Sequence, residues 1–322
     1  MRARAGYYLL SMLVLASSGL SLITFAGETA GVDREAVVIW SQGVRLAGDI
    51  YKPGNMAADQ KLPGILLVPG WGGSKANVGK NYAVHFAAAG FIVLAFDFKS
   101  WGESDGPLMA SAKLAPAEEA VEGEVRAVHI RKVVNPFSMS ADVRAALHYL
   151  GGEPQVVPDS LGLFGTSMGG ALALVTATSD DRIKAYVNQM GPVNYAYNLR
   201  DLPSGLMRLA ETRAARGDIP PYPRPEGNSD AKLKGYPDWV ALKHFNPLAS
   251  LDRLTAPTLI IEAEGETLYD PAYNGEQMYN AIKDRLPSRY ITFPGGHYDM
   301  YTGDNLSSAR KEAMNWFIQH LL

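Results

Sequence analysis

One serine in this chain is framed for chemistry. Residues 160–174 read Ser-Leu-Gly-Leu-Phe-Gly-Thr-Ser-Met-Gly-Gly-Ala-Leu-Ala-Leu: an apolar run, then Gly165-Thr-Ser167-Met-Gly169, then small apolar residues suited to a helix. Between a strand and a helix, Gly-x-Ser-x-Gly makes a turn so tight that the serine is strained and its hydroxyl exposed. Glycine at 165 and 169 has no Cβ to clash there. A plain glycine-rich turn would spell the same five letters. What separates the two readings is whether the rest of the chain supplies partners.

A serine hydroxyl is a weak nucleophile at neutral pH, so it needs a base, and the base needs an orienting carboxylate. Of the six histidines, His85, His129, His148, His244 and His320 read as surface or structural residues on helices, a charged stretch and an insertion. His297 differs. It follows the strand-like run Ser288–Phe293 and then Pro294-Gly-Gly296, so it projects from a loop at a strand's carboxyl end, where ligands sit in open α/β sheets. It also comes last, as the order Ser…Asp/Glu…His requires. The acid candidates follow the run Thr258–Glu262, in Ala263-Glu-Gly-Glu266-Thr-Leu-Tyr-Asp270-Pro271. Glu266 is the first choice and Asp270 the alternative; Glu262 and Glu264 come too early in the turn to face the histidine. The competing role for Asp270 is a helix N-cap, with Pro271 at the first helical position.

Acyl transfer also needs donors for the oxyanion. The run Ile65–Val68 leads into Pro69-Gly-Trp-Gly-Gly-Ser74, which can bring backbone N–H groups close to a ligand. The Trp71 amide is expected as one donor and the Met168 amide as the other, with the Trp71 ring free to wall the acyl pocket.

The elements that must position these groups are legible as alternating runs. Strands are predicted at 65–68, 91–95, 161–164, 185–187, 259–262 and 289–293, after an antiparallel hairpin at 36–40 and 43–51. Helices are predicted at 79–89, 141–150, 168–178, 205–215, 275–284 and 308–320. Continuous rather than alternating apolar strands mean burial on both faces, hence a mainly parallel sheet between helices. Two stretches interrupt the rhythm. Residues 107–136 carry an acidic run and then basic residues, which reads as a solvated helix or loop face. Residues 194–246 are rich in proline and aromatics and read as a small cap over the strand ends.

These landmarks resemble an α/β-hydrolase. Pro69-Gly-Trp-Gly-Gly73, Asp97-Phe-Lys-Ser-Trp-Gly-Glu-Ser104, Gly165-Thr-Ser-Met-Gly169 and Gly295-Gly-His-Tyr298 fall in that superfamily's order, from Ala36 to the C-terminus. The detail is similar to the bacterial branch related to dienelactone hydrolases and S9-type serine peptidases. In that branch the Asp97 stretch is a structural turn, so Asp97 is not assigned a catalytic role. Two departures stand out: glutamate at 266 where aspartate is commoner, and Pro69 where histidine is usual.

The chain has 322 residues, 47% hydrophobic and 20% charged, in the ordinary globular range. A formal charge of -3 gives no electrostatic reason to expect nucleic acid or an acidic membrane surface. The chain contains no cysteine, which excludes disulfides, thiolate metal sites and a cysteine nucleophile. No metal-ligand cluster or dinucleotide fingerprint is apparent, so no cofactor or metal is expected. Residues 1–27 combine Arg2 and Arg4, an apolar run from Tyr7 to Ile23 and a small-x-small ending at Ala26, which reads as a signal peptide. The alternative is an uncleaved anchor. A single hydrolase domain over 28–322, periplasmic or secreted, is then expected.

Carboxylic-ester hydrolysis is the preferred reaction, because the cap shows no paired carboxylates to hold a peptide's amino terminus. A small serine peptidase or amidase is the runner-up. A non-catalytic binding protein on the same scaffold would be expected to have broken triad positions, and these are intact. The expected partner is a small ester.

Overall fold

The structure, a computed structural model, describes residues 31–116, 122–217 and 234–322. The reading of residues 1–27 as a signal peptide lies outside the described residues, as do the centres of the acidic run and of the cap. Among the described residues no helix is long and apolar enough to cross a membrane.

The chain opens on a hairpin, β1 (Val32–Ser41) and β2 (Val44–Pro53), in register from Ser41 opposite Val44 to Val32 opposite Pro53. Gln42 and Gly43 both have positive φ, 50° and 78°, the two-residue turn whose twist matches the strands it joins. β3 (Leu62–Val68) follows, then a helical segment in three pieces: α1 (Lys75–Val78), a π-helical turn (Gly79–Ala83) and α2 (Val84–Ala88). The single helix expected at 79–89 therefore begins four residues earlier and is underwound and widened in its middle. β4 (Ile92–Phe96) completes this part of the sheet.

The charged stretch that was expected to be a plain solvated face contains exposed ribbon. β5 (Leu108–Ala110) pairs antiparallel with β6 (Ala127–His129), and β7 (Val133–Val134) lies just beyond. Arg131 donates to the carbonyls of Ser104 and Gly102, at 3.0 and 3.2 Å. Arg131 thus braces the turn after Asp97, a contact that charge pattern alone does not reveal.

From here the order is α3 (Pro136–Gly152), β8 (Val156–Thr166), α4 (Met168–Ala177) and β9 (Ile183–Gln189). The described part of the cap contains α5 (Tyr195–Asn198), α6 (Ser204–Ala215), β10 (Tyr236–Pro237) and α7 (Trp239–His244). β10 pairs with β7, which joins the two interrupting stretches. The chain closes with β11 (Thr258–Ala263), α8 (Gly275–Ile282), β12 (Ser288–Phe293) and α9 (Gly303–Leu321).

The main sheet has eight strands in the order β1-β2-β4-β3-β8-β9-β11-β12, antiparallel at the hairpin edge and parallel from β4 to β12. Strand side chains alternate between two cores. Leu66, Val68, Leu163 and Ile260 join one apolar cluster with α3 and α4; Ile65, Leu67, Phe164 and Ile261 join the other with Phe86 of α2 and Phe317 of α9. Both sides are dry, which is why the strands read as unbroken apolar runs.

Candidate active site

Parallel pairing brings the carboxyl ends of the strands to one edge. Val68 lies opposite Gly165, Thr166 opposite Gln189 and Ala263 opposite Phe293, so the loops after β3, β8, β11 and β12 emerge side by side. The sequence-assigned residues stand on these loops.

Ser167 follows β8 at φ 52° and ψ −133°. A non-glycine residue in such a region costs on the order of 1–3 kcal/mol and persists only where its surroundings hold it. Two backbone bonds do so: the Ser167 N–H to the Gln189 carbonyl and the Gly170 N–H to the Ser167 carbonyl, both 2.8 Å. The flanking glycines are sterically required. A Cβ on Gly165 would lie 2.3 Å from the Gly169 carbonyl oxygen, and one on Gly169 would lie 2.2 Å from that of Val68.

His297 opens a short 3₁₀ turn (His297–Tyr301) after β12 and is buried. Its Nδ1 lies 2.5 Å from Glu266 Oε2. The other Glu266 oxygen accepts the Thr267 and Leu268 N–H groups, at 2.9 and 2.8 Å, so the carboxylate is fixed at both oxygens. The acid and histidine loops are also tied to each other: the Glu264 N–H donates to the Phe293 carbonyl and the Gly265 N–H to the Gly295 carbonyl, extending the strand ladder outward. Asp270, the alternative acid, is exposed and points elsewhere. Its Oδ1 accepts the Ala272 N–H at 3.0 Å, capping a turn that begins at Pro271. Glu264 receives a hydrogen bond from the Thr292 hydroxyl.

The glycine-rich loop after β3 lies against the nucleophile. A Cβ on Gly70 would lie 2.9 Å from the Ser167 Cβ and 3.6 Å from its Oγ. Met168 is the first residue of α4, where a helix leaves its N–H groups without internal acceptors. Neither its amide nor that of Trp71 has an acceptor among the described residues. Ser167, His297 and Trp71 line one cavity of about 360 Å³, with Thr166, Tyr298 and Tyr301.

Trp71 lines the cavity as the sequence suggested, but its ring is not free. Its indole N–H donates to the Lys234 carbonyl at 2.6 Å, and the ring packs 6.5 Å from Trp239 of α7. The far end of the loop is anchored too. The Lys75 N–H donates to Asp97, while its ammonium is buried against Asp49 at 2.9 Å and Glu103 at 3.0 Å. Burial opposes the Lys75 charge, but the bonds to Asp49 and Glu103 outweigh it and hold the pKa above its ordinary value. Asp97, which also accepts the Glu103 N–H, is a buried fastening rather than part of the reacting set.

Sequence reasoning gave no part in the site to Glu262, which is fully buried behind Glu266. The Tyr269 hydroxyl donates to its Oε2 at 2.6 Å, and Oε1 has no hydrogen-bond partner. Desolvation, helped by the nearby Glu266 and opposed by the Tyr269 bond, pushes its carboxyl up to about 8. A carboxyl raised on folding stabilises fully below its unfolded value near 4.5, and that contribution is lost as pH rises to about 8. Glu262→Gln removes this dependence. Its Tm is expected to match the wild type near pH 5 and to exceed it by roughly several degrees above pH 8, by thermal unfolding across pH. Parallel Tm curves would contradict the assignment.

Of the other described histidines, His129 accepts the Gly106 N–H, His148 lies 3.2 Å from Arg182 and His320 packs at a tilt against Trp316, while His85 lies on α2 and His244 is exposed at the end of α7. Tyr82, Tyr301, Asn77 and Asn81 line the Ser167 cavity without any motif to announce them. Among the described residues no group of three or more histidine or carboxylate side chains is arranged to hold a metal.

A parallel sheet wound in this order, with its strained serine at a central strand-to-helix turn, is the α/β-hydrolase fold. The solved structure of the hypothetical protein PA2218 from Pseudomonas aeruginosa superimposes with a TM-score of 0.71 over 91% of this chain and 95% of that one, at 21% identity. Dienelactone hydrolase from Anabaena variabilis does so with a TM-score of 0.52 over 91% of this chain and 100% of that one, at 16% identity. The chain belongs to the dienelactone hydrolase family, whose profile matches residues 47–203. By sequence it is 30% identical to the uncharacterized protein PA2218 over 297 residues, covering 80% of this chain and 73% of that protein. It is 26% identical to the quorum-quenching protein AidA of Acinetobacter baumannii over 302 residues, covering 82% and 88%.

Proposed function

We propose that this protein is a serine hydrolase that cleaves carboxylic esters through an acyl-enzyme on Ser167. The observation that carries the reading is the His297–Glu266 pair opening onto the same cavity as a serine held at positive φ. With Nδ1–H donated to Glu266, the lone pair of His297 is on Nε2, the nitrogen free to take a proton. Nε2 removes the Ser167 proton as Oγ bonds to the ester carbonyl carbon. The Trp71 and Met168 amides receive the oxyanion, and the protonated imidazole returns its proton to the departing alcohol. Water then repeats the sequence on the acyl-enzyme and frees the acid and Ser167. Membership in a family of hydrolases supports the reaction class.

A fluorophosphonate probe tests the centre of this reading, because it reacts only with an activated serine. Labelling of folded wild-type protein at Ser167 and none in Ser167→Ala is the expected result. An unlabelled wild type removes the nucleophile assignment. p-Nitrophenyl esters are expected to turn over faster than aminoacyl anilides; the reverse order would make the protein an amidase or peptidase.

A further inference from the structure

One wall of the cavity is built by an unusual helical segment. Between α1 and α2 the backbone widens into the π-helical turn Gly79–Ala83, a rare local form that is frequent at functional sites. Its neighbours hold it in place. Gly79 sits so close to Tyr51 that a Cβ there would meet the phenol oxygen at 2.3 Å, and Lys75, one turn earlier, is pinned on Asp49 and Asp97. At the other end the Asn81 carbonyl accepts a bond from Arg310 at 3.1 Å, and the Tyr82 hydroxyl is paired with Gln189. Asn77 and Asn81, four residues apart and so on one face of this segment, both line the cavity containing Ser167.

Their side-chain amides have no hydrogen-bond partner among the described residues. The proposed chemistry does not use them, since the oxyanion is served by backbone donors and the proton by His297. We propose that Asn77 and Asn81 form a recognition site for an uncharged hydrogen-bonding group, a hydroxyl or carbonyl oxygen, on the part of the ester seated in this cavity. The substrate class is then an oxygen-substituted ester rather than a plain alkyl one. An amide carries both a donor and an acceptor, so a pair of them satisfies a hydroxyl in either direction. A carboxylate could use only the NH₂ groups, and no lysine or arginine among the described residues lines the cavity to offset its charge. The inference rests on the hydrolase reading above, because it concerns the same cavity.

The test is a ratio of kcat/KM within matched pairs. On the acyl side the pair is p-nitrophenyl butyrate and p-nitrophenyl 3-hydroxybutyrate; on the alcohol side it is ethyl butyrate and 2-hydroxyethyl butyrate. p-Nitrophenyl hemisuccinate serves as the anionic control. Because a site built to bond a hydroxyl discriminates against the analogue that lacks it, the wild type is expected to favour the hydroxylated member of one pair by roughly tenfold or more. It is expected to disfavour the hemisuccinate. In Asn77→Leu/Asn81→Leu the hydroxylated-to-plain ratio is expected to fall close to one, with fluorophosphonate labelling of Ser167 reporting that the site still folds. If the double variant is not labelled, the ratio is read in Asn81→Ala instead, where it is expected to fall severalfold. No preference in either wild-type pair, a preference for the hemisuccinate, or a preference that survives the substitutions overturns the proposal. Those outcomes with labelled Ser167 leave the hydrolase reading standing; absent labelling and absent turnover in the wild type sink both.

Discussion

Ser167→Ala is expected to lower kcat on a chromogenic ester by roughly 10⁶-fold, and His297→Ala by a similar factor, as when members of a nucleophile–base unit are removed in other serine hydrolases. The argument for so large a loss is that neither group acts alone. Without the imidazole the hydroxyl stays protonated; without the hydroxyl the imidazole has no nucleophile to activate. The double variant should therefore be no slower than either single one. Steady-state kinetics on purified variants, with thermal unfolding to show intact folds, measures this directly. Losses that multiply in the double variant would mean that Ser167 and His297 act in separate steps, and the acyl-enzyme scheme would fail. Ser167→Ala keeps a Cβ at φ 52° and loses only the hydroxyl, so its Tm is expected to stay close to that of the wild type.

The second large effect separates the two carboxylates. Glu266→Ala is expected to cost roughly 10³–10⁴ in kcat, the range for losing the group that orients a catalytic histidine. Glu266→Gln should do nearly as much harm despite its similar shape, because it removes the charge that stabilises the imidazolium. Asp270→Ala loses a cap on a short turn, so it is expected to cost about 1 kcal/mol of stability with little change in kcat. The geometry separates them: Glu266 is in contact with His297 Nδ1, whereas Asp270 bonds only its own turn. A greater kinetic loss from Asp270→Ala would overturn the acid assignment.

Much of this arrangement was legible before any coordinates. Apolar runs buried on both faces predict a parallel sheet, and a parallel sheet puts its loops at one edge. Ser167, His297 and Glu266 could therefore be placed together from strand ends alone. Local chemistry also offers an N-cap as the competing role for Asp270, the role the structure shows. What stayed hidden depends on contacts distant in sequence or on charges in unexpected places. Nothing in the local sequence marks Lys75 for burial, yet at the start of α1 it is buried against Asp49 of β2. Glu262 comes too early in the turn to face His297, and nothing local shows that its carboxyl is fully buried, with Gly275 of α8 close against it. The π-helical turn at 79–83 has no periodicity of its own, so its residues fit an ordinary helix equally well. The Trp71 tether joins positions 163 apart in the chain, a separation over which no local pattern carries information.

That tether couples two properties that engineers treat as separable. Trp71 carries a backbone donor proposed for the oxyanion and, on the same residue, a side chain fastened to the segment at Lys234 and Trp239. Remodelling the cap to admit a new substrate therefore also shifts an element that sets turnover. A cap transplanted from a relative has to bring its own seat for the indole, or selectivity will change at the expense of speed. In a library varied only in the cap, the best variants should be those that preserve an acceptor for that one N–H.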